Sequence, residues 1–444
     1  MAVRRNVDII TMGCSKNLVD SEHLIYSLGR IGFRAWSNPE KTHGGVAVVN
    51  TCGFIEAAKE ESVNMILSLV EEKKRDKLDK VIVMGCLSER YRNELRTELP
   101  EVDCFYGKFD WNGIIEYLKQ EYGVVERKQC STNPDMDRVL TTPRHYAYVK
   151  ISEGCDHHCA YCAIPLITGP QRSRSIESIC DEVKGLVAAG TKEFQIIAQD
   201  STAYGTDLYG HKALPELISS LSDIEGVEWL RIHYAYPNSF PLELLDIMAE
   251  RDNVCKYLDI ALQHIDDNVL ARMRRHITGD EIRRLLETIR RRVPGIALRT
   301  TMLVGFPGET DAEFDHLVQF VREERFERLG VFTYSEEDGT YAARHFKDDV
   351  PEKVKRKRSD TIMAIQQQIS SEICEARKGT VMRVIADRTE GDYMVCRSQY
   401  DSPEVDGEVL VRIEDLDGVN IGDFFDVKIT AADEYDLYAS PVKD

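Results

Sequence analysis

Three cysteines fall close together in the pattern C-x3-C-x2-C, Cys155, Cys159 and Cys162, directly after an apolar run at 146–151 that reads as a buried strand. Three thiolates from one short loop can bind three corners of a 4Fe–4S cube. No fourth cysteine of the ferredoxin kind lies nearby, so one iron would stay open to an exogenous ligand. The same spacing also fits a zinc site with His157 or His158 as fourth ligand, and spacing leaves both readings open.

Strand and helix alternate on both sides of this loop. Candidate strands stand at 146–151, 194–198, 229–234, 257–261, 297–304 and 329–334, with helices at 176–189, 214–221, 241–249, 266–274, 280–291 and 311–323. Six βα units with short loops fit a curved, partial barrel, and they also fit an open doubly wound sheet. Upstream, apolar runs at 7–12, 46–49 and 81–84 and helices at 21–31, 55–74 and 88–99 point to a second parallel sheet with covering helices. A polar, turn-rich stretch such as Ser131-Thr132-Asn133-Pro134-Asp135 reads as a linker. Residues 351–379 read as a helical connector that is basic at 353–358. Short β runs at 380–387, 393–397, 409–413, 424–431 and 436–439 then suggest a small β-barrel. The expected division is 5–122, a linker at 123–144, 145–377 and 378–444.

A second cysteine group emerges from the same reading. Cys14, Cys52 and Cys86 each stand just beyond the carboxyl end of an upstream strand, the edge where open α/β sheets place ligands. They can converge on a second cluster, or be three unrelated buried thiols. Cys104, Cys130, Cys180, Cys255, Cys374 and Cys396 show no ligand spacing and read as core or surface thiols. Downstream, 301–310 ends a strand in a turn where Gly305 and Gly308 permit close backbone approach to a ligand, or simply a tight turn. Gln199, Asp200, Ser201, Arg231, His233, Gln263 and His264 also follow or end strands, where a barrel exposes its catalytic mouth, although each alone is more often structural.

Composition narrows the setting. Twelve cysteines in 444 residues are too sparse for a disulfide scaffold, and no apolar stretch approaches the roughly 20 residues of a membrane helix. A reducing cytoplasm, without membrane attachment, is the expected location. The net charge of −19 disfavours a generic nucleic-acid binder and invites a basic partner. From Lys378 to Asp444 there are 16 acidic against 7 basic side chains, where an RNA-binding barrel should present a basic face.

The cysteine loop resembles the signature of the radical S-adenosylmethionine (SAM) superfamily, whose free iron chelates SAM. Tyr161, the aromatic before the last cysteine, fits that signature and in the family lies near the adenine. Such barrels often carry a turn like that of Gly305 and Gly308 near SAM. Together with the upstream cysteines and the β tail, the chain resembles the methylthiotransferases over nearly its whole length. The implied fold is α/β: an open parallel-sheet domain, a partial (βα)6 TIM-like barrel and a small all-β, OB-like TRAM barrel. Three stretches, Met12-Gly13-Cys14-Ser15-Lys16-Asn17, Arg231-Ile232-His233-Tyr234-Ala235-Tyr236-Pro237 and Tyr257-Leu258-Asp259-Ile260-Ala261-Leu262-Gln263-His264, look like the RimO type. That branch modifies an aspartate of the twelfth small-subunit ribosomal protein, and the other branch modifies a tRNA adenosine. Relatives usually carry an Arg-Gly pair after the cluster loop, where this chain has Ile167-Thr168-Gly169-Pro170.

The resemblance implies two 4Fe–4S clusters and SAM. The cluster on Cys155, Cys159 and Cys162 would cleave SAM to a radical that takes a hydrogen from the aspartate β-carbon. The cluster on Cys14, Cys52 and Cys86 would hold the transferred sulfur, and another SAM would supply the methyl group. Implied partners are the basic ribosomal protein, free or in its subunit, an electron donor and a sulfur donor. The rivals are the same chemistry on tRNA, which the acidic tail disfavours, and a zinc-stabilised ribosome-binding protein without catalysis.

Overall fold

Valine-rich runs with no polar face need cover on both sides, which a parallel sheet flanked by helices supplies. The computed structural model, which describes residues 5–124 and 138–442, contains such a sheet at the amino end. The linker expected at 123–144 falls mostly outside the described residues, and Cys130 wholly so. Strands β1 (Asn6–Thr11), β2 (Arg34–Ser37), β3 (Val46–Thr51), β4 (Lys80–Gly85) and β5 (Cys104–Phe105) are all parallel, in the order β2-β1-β3-β4-β5. The order reverses between β1 and β3, and ligands of such sheets bind in the crevice at that reversal. One face buries Val7, Ile9, Leu24 and Ile114, the other Val49, Ile66, Val70 and Val83.

Three elements here escape sequence reading: β2, β5 and the helix Trp111–Tyr122. Two helices also begin earlier than their apolar periodicity suggests. The helix read at 21–31 is Ser15–Arg30, and the helix read at 88–99 is Cys86–Glu98. In the first, buried Lys16 and Asn17 occupy positions that an apolar pattern would reserve for core residues.

The central unit runs β6 (Tyr146–Lys150), a short antiparallel ribbon of β7 (Ser152–Glu153) and β8 (Arg172–Ser173), then β9 (Glu193–Ile197), β10 (Trp229–Ala235), β11 (Val254–Gln263), β12 (Ala297–Val304) and β13 (Arg328–Thr333). The six long strands are parallel in the order β6-β9-β10-β11-β12-β13. Chain order and sheet order coincide, so right-handed crossovers put every helix on one face and the sheet curls. A doubly wound sheet requires a reversal that is absent among these strands, which decides for the partial barrel.

The tail strands β14 (Val381–Glu390), β15 (Tyr393–Ser398), β16 (Val409–Arg412), β17 (Phe424–Ala432) and β18 (Leu437–Pro441) close into the expected barrel, in the order β14-β15-β16-β18-β17. The connector is one helix, Glu352–Ala376, packed over edge strand β13, with Gln366 Nε2 donating to the Phe326 carbonyl at 2.8 Å. Its basic stretch is only partly free, because Lys355 pairs with Asp348 at 2.5 Å and Arg358 with Asp311 at 2.8 Å. The tail barrel seals the amino ends of the central strands. There fully buried Glu193 accepts from Arg231 Nη2 at 3.1 Å and Arg397 Nη2 at 2.7 Å, and Tyr257 Oη donates to Asp406 at 2.8 Å. Among the described residues no helix is long and apolar enough to cross a membrane.

Candidate active site

The cysteine loop springs from the β7–β8 ribbon at the carboxyl mouth of the partial barrel. Its base is tight: Gly154 has φ +82°, and a Cβ there would lie 2.0 Å from the Pro170 carbonyl oxygen. Gly169-Pro170 thus serves as the wall against which the loop closes, and Cys155 N donates to the Gly169 carbonyl at 3.2 Å. Ala160 N donates to the Met273 carbonyl at 2.9 Å, and the Ala160 carbonyl accepts from Ala342 N at 2.7 Å. His157 Nε2 and Asp200 Oδ2 stand 2.5 Å apart, and the His157 ring stacks on Tyr236 at 3.6 Å. Asp200, at the end of β9, therefore orients the loop.

Arg275 completes this site. Fully enclosed, its Nη1 donates to Cys159 Sγ at 3.5 Å and to Tyr161 Oη at 3.3 Å, while Nη2 donates to the Ala261 carbonyl. Its guanidinium also lies over Tyr236, 4.1 Å from the ring centre. Burial pushes the Cys155 thiol up to about 12 and raises that of Cys162 as well. Raised this far, these thiols are protonated near neutrality, and the buried guanidinium stands where it can offset negative charge at Cys159.

The second group sits on the carboxyl edge of the amino-terminal sheet, beside its β1/β3 crevice. Cys14 is the N-cap of the helix Ser15–Arg30, and Cys86 opens the helix Cys86–Glu98, so two positive helix ends meet the group. At Gly13 (φ +89°) a Cβ would lie 2.8 Å from Cys52 Cβ, so only glycine lets the first two loops meet this closely. Asn17 ties all three loops together. Its Nδ2 donates to the carbonyls of Met12 at 3.0 Å and Thr51 at 3.2 Å, and its Oδ1 accepts from the Cys86 thiol at 3.6 Å. Burial raises the thiols of Cys52 and Cys86, the latter to about 12. Burial acts on Cys14 too, but the charges of Lys16 and Lys108 and the main-chain N–H groups of Asn17 and Lys16 outweigh it and lower that thiol.

The two groups occupy facing edges. Lys108 lies beside Cys86 and pairs with Asp20 at 2.6 Å and with Glu153, two residues before Cys155, at 3.5 Å. Lys150 also joins Asp20 and Glu153, and Gln199 Nε2 donates to Glu153 at 2.9 Å. An apolar contact of Val19 with Tyr148 and Ile197 flanks this network. On the other side, Glu337, beyond β13, accepts from Lys59 at 3.1 Å and Arg90 at 2.8 Å. A cavity of about 260 Å³ opens at the junction, lined by Cys14, Ser15, Thr141, Tyr148 and the tail residue Glu404.

The remaining candidates have structural explanations at hand. Gly305 (φ +74°) ends β12, and a Cβ there would lie 2.3 Å from Lys355 Cγ, so helix packing alone requires glycine. Gly308 N donates to Asp349 at 2.7 Å. Arg231 belongs to the seal under the barrel. His233 Nε2 donates to Gln195 Oε1 at 2.8 Å, and burial with nearby Arg231 keeps it neutral. His264 Nδ1 accepts from Asp266 N at 3.0 Å. Sequence reading missed Asn17 and Arg275 as site residues; the first stood in a quoted motif, and the second gave no signal within a run of arginines.

Three family models match the chain: Uncharacterized protein family UPF0004 over residues 6–107, Radical SAM superfamily over 149–321 and TRAM domain over 379–442. The chain is 56% identical over 435 residues to the ribosomal protein uS12 methylthiotransferase RimO of Bacteroides fragilis, covering 98% of this chain and 99% of that protein. The like-named protein of Porphyromonas gingivalis is 55% identical over 439 residues, covering 98% and 99%. Among solved structures, the radical SAM methyltransferase TsrM of Kitasatospora setae, with cobalamin and a [4Fe-4S] cluster bound, shares the fold. It gives a TM-score of 0.54 at 15% identity, covering 74% of this chain and 72% of TsrM.

Proposed function

The chain belongs to the family of ribosomal protein uS12 methylthiotransferases, and from that premise we propose that it replaces C–H by C–S–CH3 at the β-carbon of an aspartate in that protein. It is a radical SAM transferase that uses SAM and 4Fe–4S clusters. In this reading its units are 5–122, 145–377 and 378–444. The facing of the two cysteine groups across Lys108 and Glu153 carries the proposal, because it would let both act on one substrate position.

The donor sets fit such clusters. Each group offers three free thiols within electrostatic reach of one another, from loops already pinned by hydrogen bonds. Cys155, Cys159 and Cys162 would hold the cluster that cleaves SAM by one electron and so opens an unactivated C–H bond, while Cys14, Cys52 and Cys86 would hold the one carrying sulfur. Arg275 balances charge at Cys159, and Asp200 fixes the loop through His157. Tyr161, Gly305 and Gly308 are the proposed contacts to SAM. An electron donor and a sulfur donor are required, in the cytoplasm. The acidic tail steers a basic protein and repels tRNA, the alternative substrate.

The test separates the two groups. Cys155→Ala should abolish SAM cleavage, whereas Cys14→Ala should spare it and lose sulfur insertion. Intact methylthiolation by Cys14→Ala would sink the two-cluster assignment.

A further inference from the structure

Four lysines are buried among the described residues: Lys16, Lys108, Lys150 and Lys355. Three of them neutralise their charge against carboxylates, Lys108 and Lys150 on Asp20 and Lys355 on Asp348. Lys16 is 9% exposed and has no carboxylate within 4.0 Å among the described residues. A buried ammonium without a counter-charge is costly, and such groups are ordinarily paired.

The placement of Lys16 shows what the charge faces. It stands two residues beyond Cys14, in the first turn of its helix, and reaches across the junction to the mouth of the partial barrel. Its Nζ lies 3.4 Å from the ring centre of Tyr234. Tyr234 ends β10 in a left-handed conformation (φ +60°), at a register shift between β10 and β11, and its N donates to Asp259 at 3.4 Å. A strained, main-chain-anchored tyrosine thus lies against the ammonium, whose charge is favoured by Tyr234 and the Cys14 thiol, and by Glu153 through space, with no carboxylate among the described residues in direct contact. In the residue before Lys16, Ser15, the hydroxyl is buried without a partner among the described residues, and Ser15 lines the 260 Å³ cavity beside Cys14.

We propose that the Lys16 ammonium, held over Tyr234 between the two cysteine groups, is the subsite for the side-chain carboxylate of the substrate residue. It would orient the acidic side chain so that its β-carbon lies between the two groups, and would discriminate against the uncharged amide. The inference rests on the proposed aspartate target and adds the residue that selects it. Asp259 accepts from Tyr234 N and, like Glu153, acts on Lys16 through space without an ion pair to its ammonium.

The test is a binding cycle without reductant, so that no turnover occurs. The probes are intact uS12 and the same protein with asparagine at the target position. A charge-assisted hydrogen bond in a buried site corresponds to about a 10- to 100-fold preference for the acid. Wild-type enzyme should show that preference, Lys16→Met should reduce it to about unity, and Lys16→Arg, which keeps the charge, should retain most of it. A preference that persists in Lys16→Met, or is equally lost in Lys16→Arg, overturns the assignment. Mass spectrometry of uS12 after turnover by the wild-type enzyme separates the two levels. No methylthio group on the aspartate refutes the target itself, while a modified aspartate with an unchanged preference in Lys16→Met refutes the lysine alone.

Discussion

Asn17 joins the strand ends that carry Cys14 and Cys52 to the thiol of Cys86, and Asn17→Ala removes this tie without touching a cysteine. Two buried hydrogen bonds disappear, those to the Met12 and Thr51 carbonyls at 3.0 and 3.2 Å. A buried carbonyl left without a partner costs about 1–3 kcal/mol, so the two together cost about 2–6 kcal/mol. Part of the loss falls on the pre-arrangement of the three loops. If about 2 kcal/mol of it falls there, the hold on a cluster weakens about 30-fold. The assay is anaerobic reconstitution followed by iron and sulfide counts and a chelator challenge. Iron per chain should fall from about eight towards about four, with the cluster on Cys155, Cys159 and Cys162 retained. SAM cleavage should continue while sulfur insertion fails. An Asn17→Ala variant with wild-type iron content and wild-type resistance to chelator would refute this reasoning.

Two further predictions concern the joints between units. Glu193→Gln leaves Arg231 and Arg397 buried without their shared counter-ion, so stability should fall by about 3–5 kcal/mol; an unchanged urea midpoint would contradict the sealing role. Glu153 is held well below the usual carboxylate range, because Lys150 and Lys108 outweigh the effect of burial. A depressed carboxylate contributes stability above its unfolded value of 4.5 and loses it as pH falls through the folded value. Glu153→Gln should therefore be less stable than wild type at neutral pH, with the gap closing below about pH 4.5. A gap that stays constant into acid would refute the network.

The six strands of the partial barrel were legible because each is a short segment rich in apolar residues between turn signals, and the cysteine groups because each follows such a segment. Spacing could not choose between a curled and a doubly wound sheet, since that depends on which strands pair. The strands β2 and β5 escaped because Arg34–Ser37 is polar and Cys104–Phe105 is two residues long. The helix Trp111–Tyr122 shows apolar spacing at Trp111, Ile114, Ile115 and Leu118, but it adjoins a polar stretch that dominated the boundary. Arg275 and Asp200 gain their roles only from distant partners, Cys159 and His157. Lys16 stood in a quoted stretch, but nothing in its spacing signals a tyrosine more than 200 residues away.

Mass spectrometry of uS12 after anaerobic incubation with reconstituted enzyme, SAM, reductant and sulfide, with tRNA run in parallel, tests the central claim most directly. A methylthio increment on a single aspartate of uS12, absent from tRNA, is the predicted result. An increment confined to a tRNA adenosine would contradict the substrate assignment, and no increment on either would contradict the proposed reaction.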